Sequence, residues 1–279
     1  MLRNKFQPNP FHSRLKSSAM KGIFFRSFSS IIVKMKKLIY SILLVFGTSQ
    51  AQDAYEIIKR SDEHVRGASN KAEMSIEVQR PKWSRTMEIK AWSLGTEYSF
   101  ILIQAPSRDK GTVFLKREKE IWNWQPKIEK IIKLPPSMMM QSWMGSDLTN
   151  DDLVKESSIL SDYTHEIIGD TTLQNRTCYG IELTPKPEAA VVWGKVKTFI
   201  DKQDYLQLAS EFYDEDGYLI NKMEASDIKY FGDKILPATL VMTPVEEEGQ
   251  KTILHYRSIE YNIDIEESFF TKQNMKRLR

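Results

Sequence analysis

The chain has 279 residues, of which 41% are hydrophobic and 28% charged, with a single cysteine and a formal net charge of +3. Residues 1–51 carry nine of the basic residues and no acid, so the remainder sets 31 basic residues against 37 acidic ones, a net of about −6; without a basic face to neutralise phosphate, nucleic acid is excluded as an expected partner. Cys178 alone forms no internal disulfide, so stability must come from a hydrophobic core, which the 228 residues beyond position 51 are enough to build.

The N-terminal part reads as targeting sequence. Lys36 and Lys37 precede an apolar run from Leu38 to Phe46 that is too short to span a bilayer, and Ser49-Gln50-Ala51 has the small-x-small form of a cleavage site. The spacing predicts a signal peptide over residues 35–51, an upstream extension over 1–34 that is absent from the mature protein, and one mature domain over 52–279. With no cysteine at the cleavage site to acylate, a soluble, monomeric protein of the periplasm is expected.

Asp53 to Arg66 reads as an amphipathic helix. Asp53 and Glu56 resemble a capping box, Ala54, Ile57, Ile58 and Val65 form an apolar stripe, and Gly67 closes the end. Period-two alternation then marks strands at Met74–Val78, Met87–Ala91, Tyr98–Ile103, Val113–Lys116 and Ile121–Trp124. The stretch LPPSMMMQSWMGSDLTNDD, Leu134 to Asp152, interrupts the pattern. Thr149 or Asn150 is an N-cap ahead of Asp151 and Asp152, which predicts one or two short helices. Strands resume at Tyr163–Ile168, Thr177–Thr184, Lys195–Ile200, Leu206–Tyr213, Tyr218–Ile228, Thr239–Met242 and Thr252–Tyr261, with a hairpin turn at Asp214 to Gly217. So many twisted antiparallel strands tend to curl. The expected fold is mainly β, a half-open barrel of about eleven strands covered by the N-terminal helix and the helical insertion.

Catalytic patterns are scarce. Gly194-Lys195 lacks the rest of a P-loop, and His64, His165 and His255 are scattered over a helix and two strands. Ser137, Ser142 and Ser146 have no nearby base, so an enzyme is not expected, and neither is a cofactor or a metal. Copper would want thioethers at fixed spacing, whereas Met138, Met139 and Met140 are consecutive and cannot all point one way. Methionine suits surfaces that accommodate variable apolar partners. With Trp143 and Met144 the three form a candidate flap over a lipid. Trp92, Phe100, Leu102, Phe114, Trp122 and Trp124 are candidates for the cavity lining beneath it; plain core packing is the competing reading of each.

The motifs RPKWSRTM (Arg80 to Met87), APSRDKGTVFLK (Ala105 to Lys116), IWNW (Ile121 to Trp124), LPPSMMMQSWMGSDLTNDDL (Leu134 to Leu153) and VVWGKV (Val191 to Val196) resemble the bacterial outer membrane lipoprotein-sorting protein family, which is related to the periplasmic lipoprotein carriers. That resemblance implies an unclosed antiparallel barrel with a helical lid, holding acyl chains of lipoproteins or other lipids. It also implies an inner-membrane exporter of the resistance-nodulation or ABC kind and an outer-membrane acceptor as partners, with Arg85 as the candidate lid-locking arginine. The competing expectation is an accessory protein of such an exporter that holds no lipid.

Overall fold

A computed structural model describes residues 53–154, 158–189 and 191–278. The leader readings over 1–34 and 35–51 lie outside the described residues. Helix α1 occupies residues 53–66. Gly67, at φ 66°, turns the chain out of it and returns its N–H to the Glu63 carbonyl at 3.0 Å, a left-handed closure that glycine makes without steric cost. Thirteen strands follow: β1 (Ser69–Arg80), β2 (Trp83–Leu94), β3 (Tyr98–Ala105), β4 (Val113–Arg117), β5 (Glu120–Gln125), β6 (Lys130–Leu134), β7 (Tyr163–Leu173), β8 (Arg176–Pro185), β9 (Lys195–Asp201), β10 (Gln207–Tyr213), β11 (Leu219–Phe231), β12 (Lys234–Pro244) and β13 (Lys251–Tyr261). Between β6 and β7 lie two single 3-10 turns (Pro136–Met138 and Trp143–Gly145) and the short helices α2 (Asn150–Val154) and α3 (Ser158–Ser161). A 3-10 turn (Glu267–Phe269) and α4 (Lys272–Met275) close the chain.

All thirteen strands form one sheet in the order β6-β5-β4-β3-β2-β1-β13-β12-β11-β10-β9-β8-β7, so it is two meanders joined where β1 pairs with β13. Its two edges, β6 and β7, are not paired to each other and the barrel is unclosed. The pattern marks twelve strand segments and the expected barrel had about eleven; the sheet has thirteen. The strand that the pattern does not reveal is β6. Its Lys-Ile-Ile-Lys-Leu run lacks alternation because neither face of the strand is buried: Lys130, Ile132 and Lys133 are exposed, Ile131 and Leu134 half-buried, and its pairing to β5 orders it.

The register carries one largely buried face across the join, apolar but for Thr198, Ser210 and Thr252. Ile181, Thr198, Ser210, Met223, Met242, Thr252 and Val78 lie opposite one another in turn from β8 to β1. The next part of the same face is Ile76, Met87, Ile89, Ile103 and Phe114, all buried. Helix α1 lies on this inner side, with Ala54, Ile57 and Ile58 against Tyr163, Ile181, Leu183 and Val196. It is pinned rather than free: the Lys234 ammonium donates to the His64 carbonyl at 2.8 Å and the Tyr261 hydroxyl to that of Val65 at 2.8 Å. The expected N-terminal cover is therefore confined to one half of the interior and fixed at its C-terminal end.

The opposite face carries an apolar patch centred on β3–β5. Phe100, Leu102, Val113, Leu115, Trp122 and Trp124 point there, and the C-terminal segment covers them with Phe269, Phe270 and Met275. Phe100 meets Phe269 at 5.4 Å and Phe270 at 5.3 Å between ring centroids, while the Lys272 ammonium stands 4.2 Å above the Trp122 ring. Thr271 caps α4 by accepting from the Asn274 N–H.

Candidate functional site

The two meanders face each other across a cavity of about 350 Å³. Met74, Ile89 and Ile101 from β1–β3 line one side, Leu183, Val196 and Phe212 from β8–β10 the other, and Leu240, Met242 and Leu254 the floor between them. Strands three and eight can share one cavity only if the sheet curls, so curvature is what turns a core face into a lining. Ile58 and Val65 of α1, with Leu148 and Leu153 flanking and within α2, complete the wall. The volume lies at the low end of small-molecule pockets, about 300–1,000 Å³.

Helix α2 is positioned by a reciprocal cap. The Thr149 N–H donates to Asp152 Oδ2 at 2.8 Å and the Asp152 N–H to Thr149 Oγ1 at 3.1 Å. Trp193 Nε1 donates to Asp152 Oδ1 at 2.9 Å, tying α2 to the VVWGKV motif. Gly194 is required there because a Cβ would come within 2.6 Å of Glu215 Cα in the β10–β11 turn. Desolvation in the cavity wall pushes the Asp152 carboxyl above its ordinary range, against the bonds from Trp193 and Thr149, which pull it down. A raised carboxyl pKa means that the folded protein binds the proton more tightly than the unfolded chain, so this group lowers stability as pH rises from about 4 through its folded pKa. Asp152→Asn can accept from Trp193 or from the Thr149 N–H but not from both, so it loses part of the cap at every pH while removing the titrating group. The melting temperature of the parent relative to Asp152→Asn is therefore expected to fall as pH rises from about 4 to 7, and a difference that stays constant across that range would contradict the assignment.

The Met-Trp segment folds on itself beside the cavity. A bridge joins Ser142 to Thr149, the Trp143 N–H donates to the Leu148 carbonyl at 2.7 Å, and the Asn150 amide donates to the Met138 carbonyl at 2.9 Å. Trp143 is fully buried against Phe114, 5.6 Å between rings, and Met139 joins the same cluster. Met138 and Met144 are half-buried, and Met140 is 66% exposed. Met144 sits at φ 53°, ψ 24°, a left-handed conformation that costs a residue with a side chain about 1–2 kcal/mol.

Two arginines hold this segment to β1 and β2. Arg80 forks onto Asp147 at 2.9 and 3.1 Å and also donates to the Gly145 carbonyl at 3.1 Å. Asp147 further accepts from Thr252 Oγ1 at 2.7 Å. Arg85 donates to the Met144 carbonyl and faces Asp109 at 3.8 Å. The Arg80 fork had no distinct signature in the sequence.

The sequence-derived site residues are thus divided. None of Met138, Met139, Met140, Trp143 and Met144 borders the cavity; the residues that follow them, Leu148, Asp151, Asp152 and Leu153, do. Of the expected lining, Trp92 and Phe100 lie at the cavity's margin but their rings pack on the outer face against Phe269, and Leu102, Phe114, Trp122 and Trp124 do not border it. Leu102, Trp122 and Trp124 are corrected to the outer face, where α4 covers them; Phe114 is on the inner face under Trp143. Period two explains the split, because Phe114 lies opposite Asn123 and therefore away from Trp122 and Trp124. The three histidines are apart and separately bonded: His64 to the Ile235 carbonyl, His165 to that of Ile159, and His255 to Thr239 Oγ1.

A curled, unclosed antiparallel sheet with helices over its open side and an apolar cavity within defines the class: a half-open antiparallel barrel. A crystal structure described as a DUF1329 family protein from Desulfovibrio piger superposes with a TM-score of 0.75 at 20% identity, over 81% of this chain and 99% of that one. One described as an outer membrane lipoprotein-sorting protein domain from Vibrio parahaemolyticus gives 0.73 at 22% identity, over 81% and 99%. A LolA superfamily protein from Nitrosomonas europaea gives 0.68 at 20%, over 79% and 98%. Among curated proteins no relative matches. A family model whose description reads "-like: Uncharacterized protein" matches residues 95–277, and the chain belongs to that family. The resemblance read from the motifs is borne out by these neighbours at the level of fold.

Proposed function

We propose that this protein is an exported, non-catalytic carrier that shelters acyl chains of lipoproteins or other lipids and passes them between envelope membranes. The observation that carries the reading is the cavity itself, an apolar space between the two meanders, bordered by α1 and α2. Each methylene withdrawn from water contributes about 0.8 kcal/mol, so a chain of a dozen carbons gains roughly 10 kcal/mol. A lipid with more than one chain needs more room than about 350 Å³. The adjoining plug of Met139 and Trp143 is the part able to supply it, because its polar ties to the sheet are few, running through Arg80, Arg85, Thr252 and Asn221, and Met144 is already strained. Exchange of plug contacts for chain contacts keeps the net affinity moderate, which permits release.

Mass spectrometry of an organic extract of the protein purified from a bacterial envelope fraction is the direct test. Acyl lipid in near-stoichiometric amount is expected, together with uptake of a fluorescent fatty acid after delipidation. An extract free of lipid from protein that also takes up no fatty acid would remove the carrier reading.

A further inference from the structure

At one end of the cavity the inner face changes character within a single register row. Ala72, Ala91, Ile101 and Phe114 lie opposite one another across β1–β4, and all are apolar. Two residues along the same strands the row is Asn70, Ser93, Ser99 and Lys116, all polar. The step between rows is about 7 Å. Lys116 is only 6% exposed and donates to the Thr96 carbonyl at 2.6 Å. Arg66, in the last turn of α1, overlooks the row; it pairs with Asp62 at 2.7 Å and its carbonyl accepts from the Asn70 amide at 2.9 Å. Ser93 Oγ is buried without a hydrogen-bond partner among the described residues. Burying polar groups on a face otherwise given to core is costly unless something bonds to them.

Here the cavity meets a small side recess of about 10 Å³, and the two share Arg66, Ser93 and Ser99 as walls. Lys116, Tyr98 and Thr96 complete the recess, whose lining among the described residues includes two cations and no carboxylate. Of the carboxylates bordering the main cavity, Asp151 and Asp152 belong to α2, beside Trp193, and Asp62 is the one forked onto Arg66 at 2.7 and 3.3 Å, so the positive character of the row comes from Lys116.

We propose that this polar row is a binding site for the compact anionic head, carboxylate or phosphate, of a lipid whose chain occupies the apolar cavity. An ammonium beside an arginine–aspartate pair and a serine hydroxyl lacking a partner among the described residues are groups that recognise such a head. The recess has room for about one water-sized group, which suits a carboxylate or phosphate oxygen. A neutral ester or alcohol of the same chain forgoes the charge-assisted bonds, so the row selects anionic lipids over neutral ones. This inference rests on the acyl-chain reading above and names the class of cargo.

The test titrates the delipidated full-length protein with pyrene-labelled hexadecanoic acid and with its methyl ester. The acid is expected to bind about tenfold more tightly or better, in line with a charge-assisted hydrogen bond. Lys116→Met should weaken the acid about tenfold and change the ester less than about twofold. Ser93→Ala, which removes only an unpartnered hydroxyl, should weaken the acid alone by a few-fold and serves if the lysine variant does not fold. Competition by single-chain lysophosphatidic acid, by unlabelled hexadecanoate and by inorganic phosphate then shows which head is preferred, and that the free anion lacks the chain's contribution. Equal binding of acid and ester, or equal losses for both in the variants, overturns the head site while leaving the carrier reading intact. Failure of the protein to bind either probe overturns both.

Discussion

Trp143→Ala is expected to destabilise the protein by about 3–5 kcal/mol, the range for removing a fully buried aromatic side chain from a core. The side chain has no exposed surface and packs with Phe114, Met139, Ile103 and Ile121 on the inner face of β3–β5. Its indole Nε1 is buried without a hydrogen-bond partner among the described residues. Trp143→Phe deletes that unbonded N–H while keeping most of the apolar bulk, so it should recover the larger part of the loss. Chemical denaturation of the three proteins measures both effects. An alanine variant within about 1 kcal/mol of the parent would show that the tryptophan is not packed as a plug. The carrier reading adds a second expectation: a protein emptied at position 143 should hold bulkier acyl probes than the parent does.

Asp147→Ala is expected to release the segment from Met138 to Asp152 and to cost about 3–5 kcal/mol, because it strands a largely buried Arg80 without its counter-charge. The Arg80 and Asp147 side chains are 14% and 7% exposed, and Asp147 also holds Thr252. Hydrogen exchange should locate the change: the amides of Trp143, Asn150 and Asp151, which donate within the segment, should exchange faster while β10–β12 stay protected. Arg85→Ala should act in the same direction with a smaller effect, since Arg85 is 26% exposed and its ion pair to Asp109 is long. Unaltered exchange across the segment in Asp147→Ala would show that the fork is not what holds it.

Much of the architecture was open to inspection in the chain. Asp53, Ala54, Ile57, Ile58 and Gly67 specify α1, and the helix runs over residues 53–66 as the pattern requires. Thr149 acts as the cap ahead of α2, and Asp214 to Gly217 makes the turn between β10 and β11, with the Gly217 N–H on the Asp214 carbonyl at 3.2 Å. These are local decisions, settled by residues within a few positions of each other. Strand β6 escaped because none of its residues is buried, so nothing in Lys130 to Leu134 has to alternate. The covering of Trp122 and Trp124 escaped because nothing near them in the chain indicates that Phe270 and Met275, about 150 residues later, will lie over them.

The lipid-site reading divides along the same line. Composition alone showed that residues 134–152 concentrate soft apolar side chains, which is what suggested a cover over an apolar ligand. Which of those side chains would plug the sheet and which would meet water depended on the backbone turning at Met144 and on the reach of Arg80 and Arg85 from β1 and β2. The cavity likewise came only from the curl of thirteen strands, which sets Ile101 of β3 facing the same space as Leu183 of β8. Alternation tells a strand which side chains share a face. Whether that face closes on another wall, on a plug or on open space depends on contacts between residues far apart in the chain, and no local pattern encodes those.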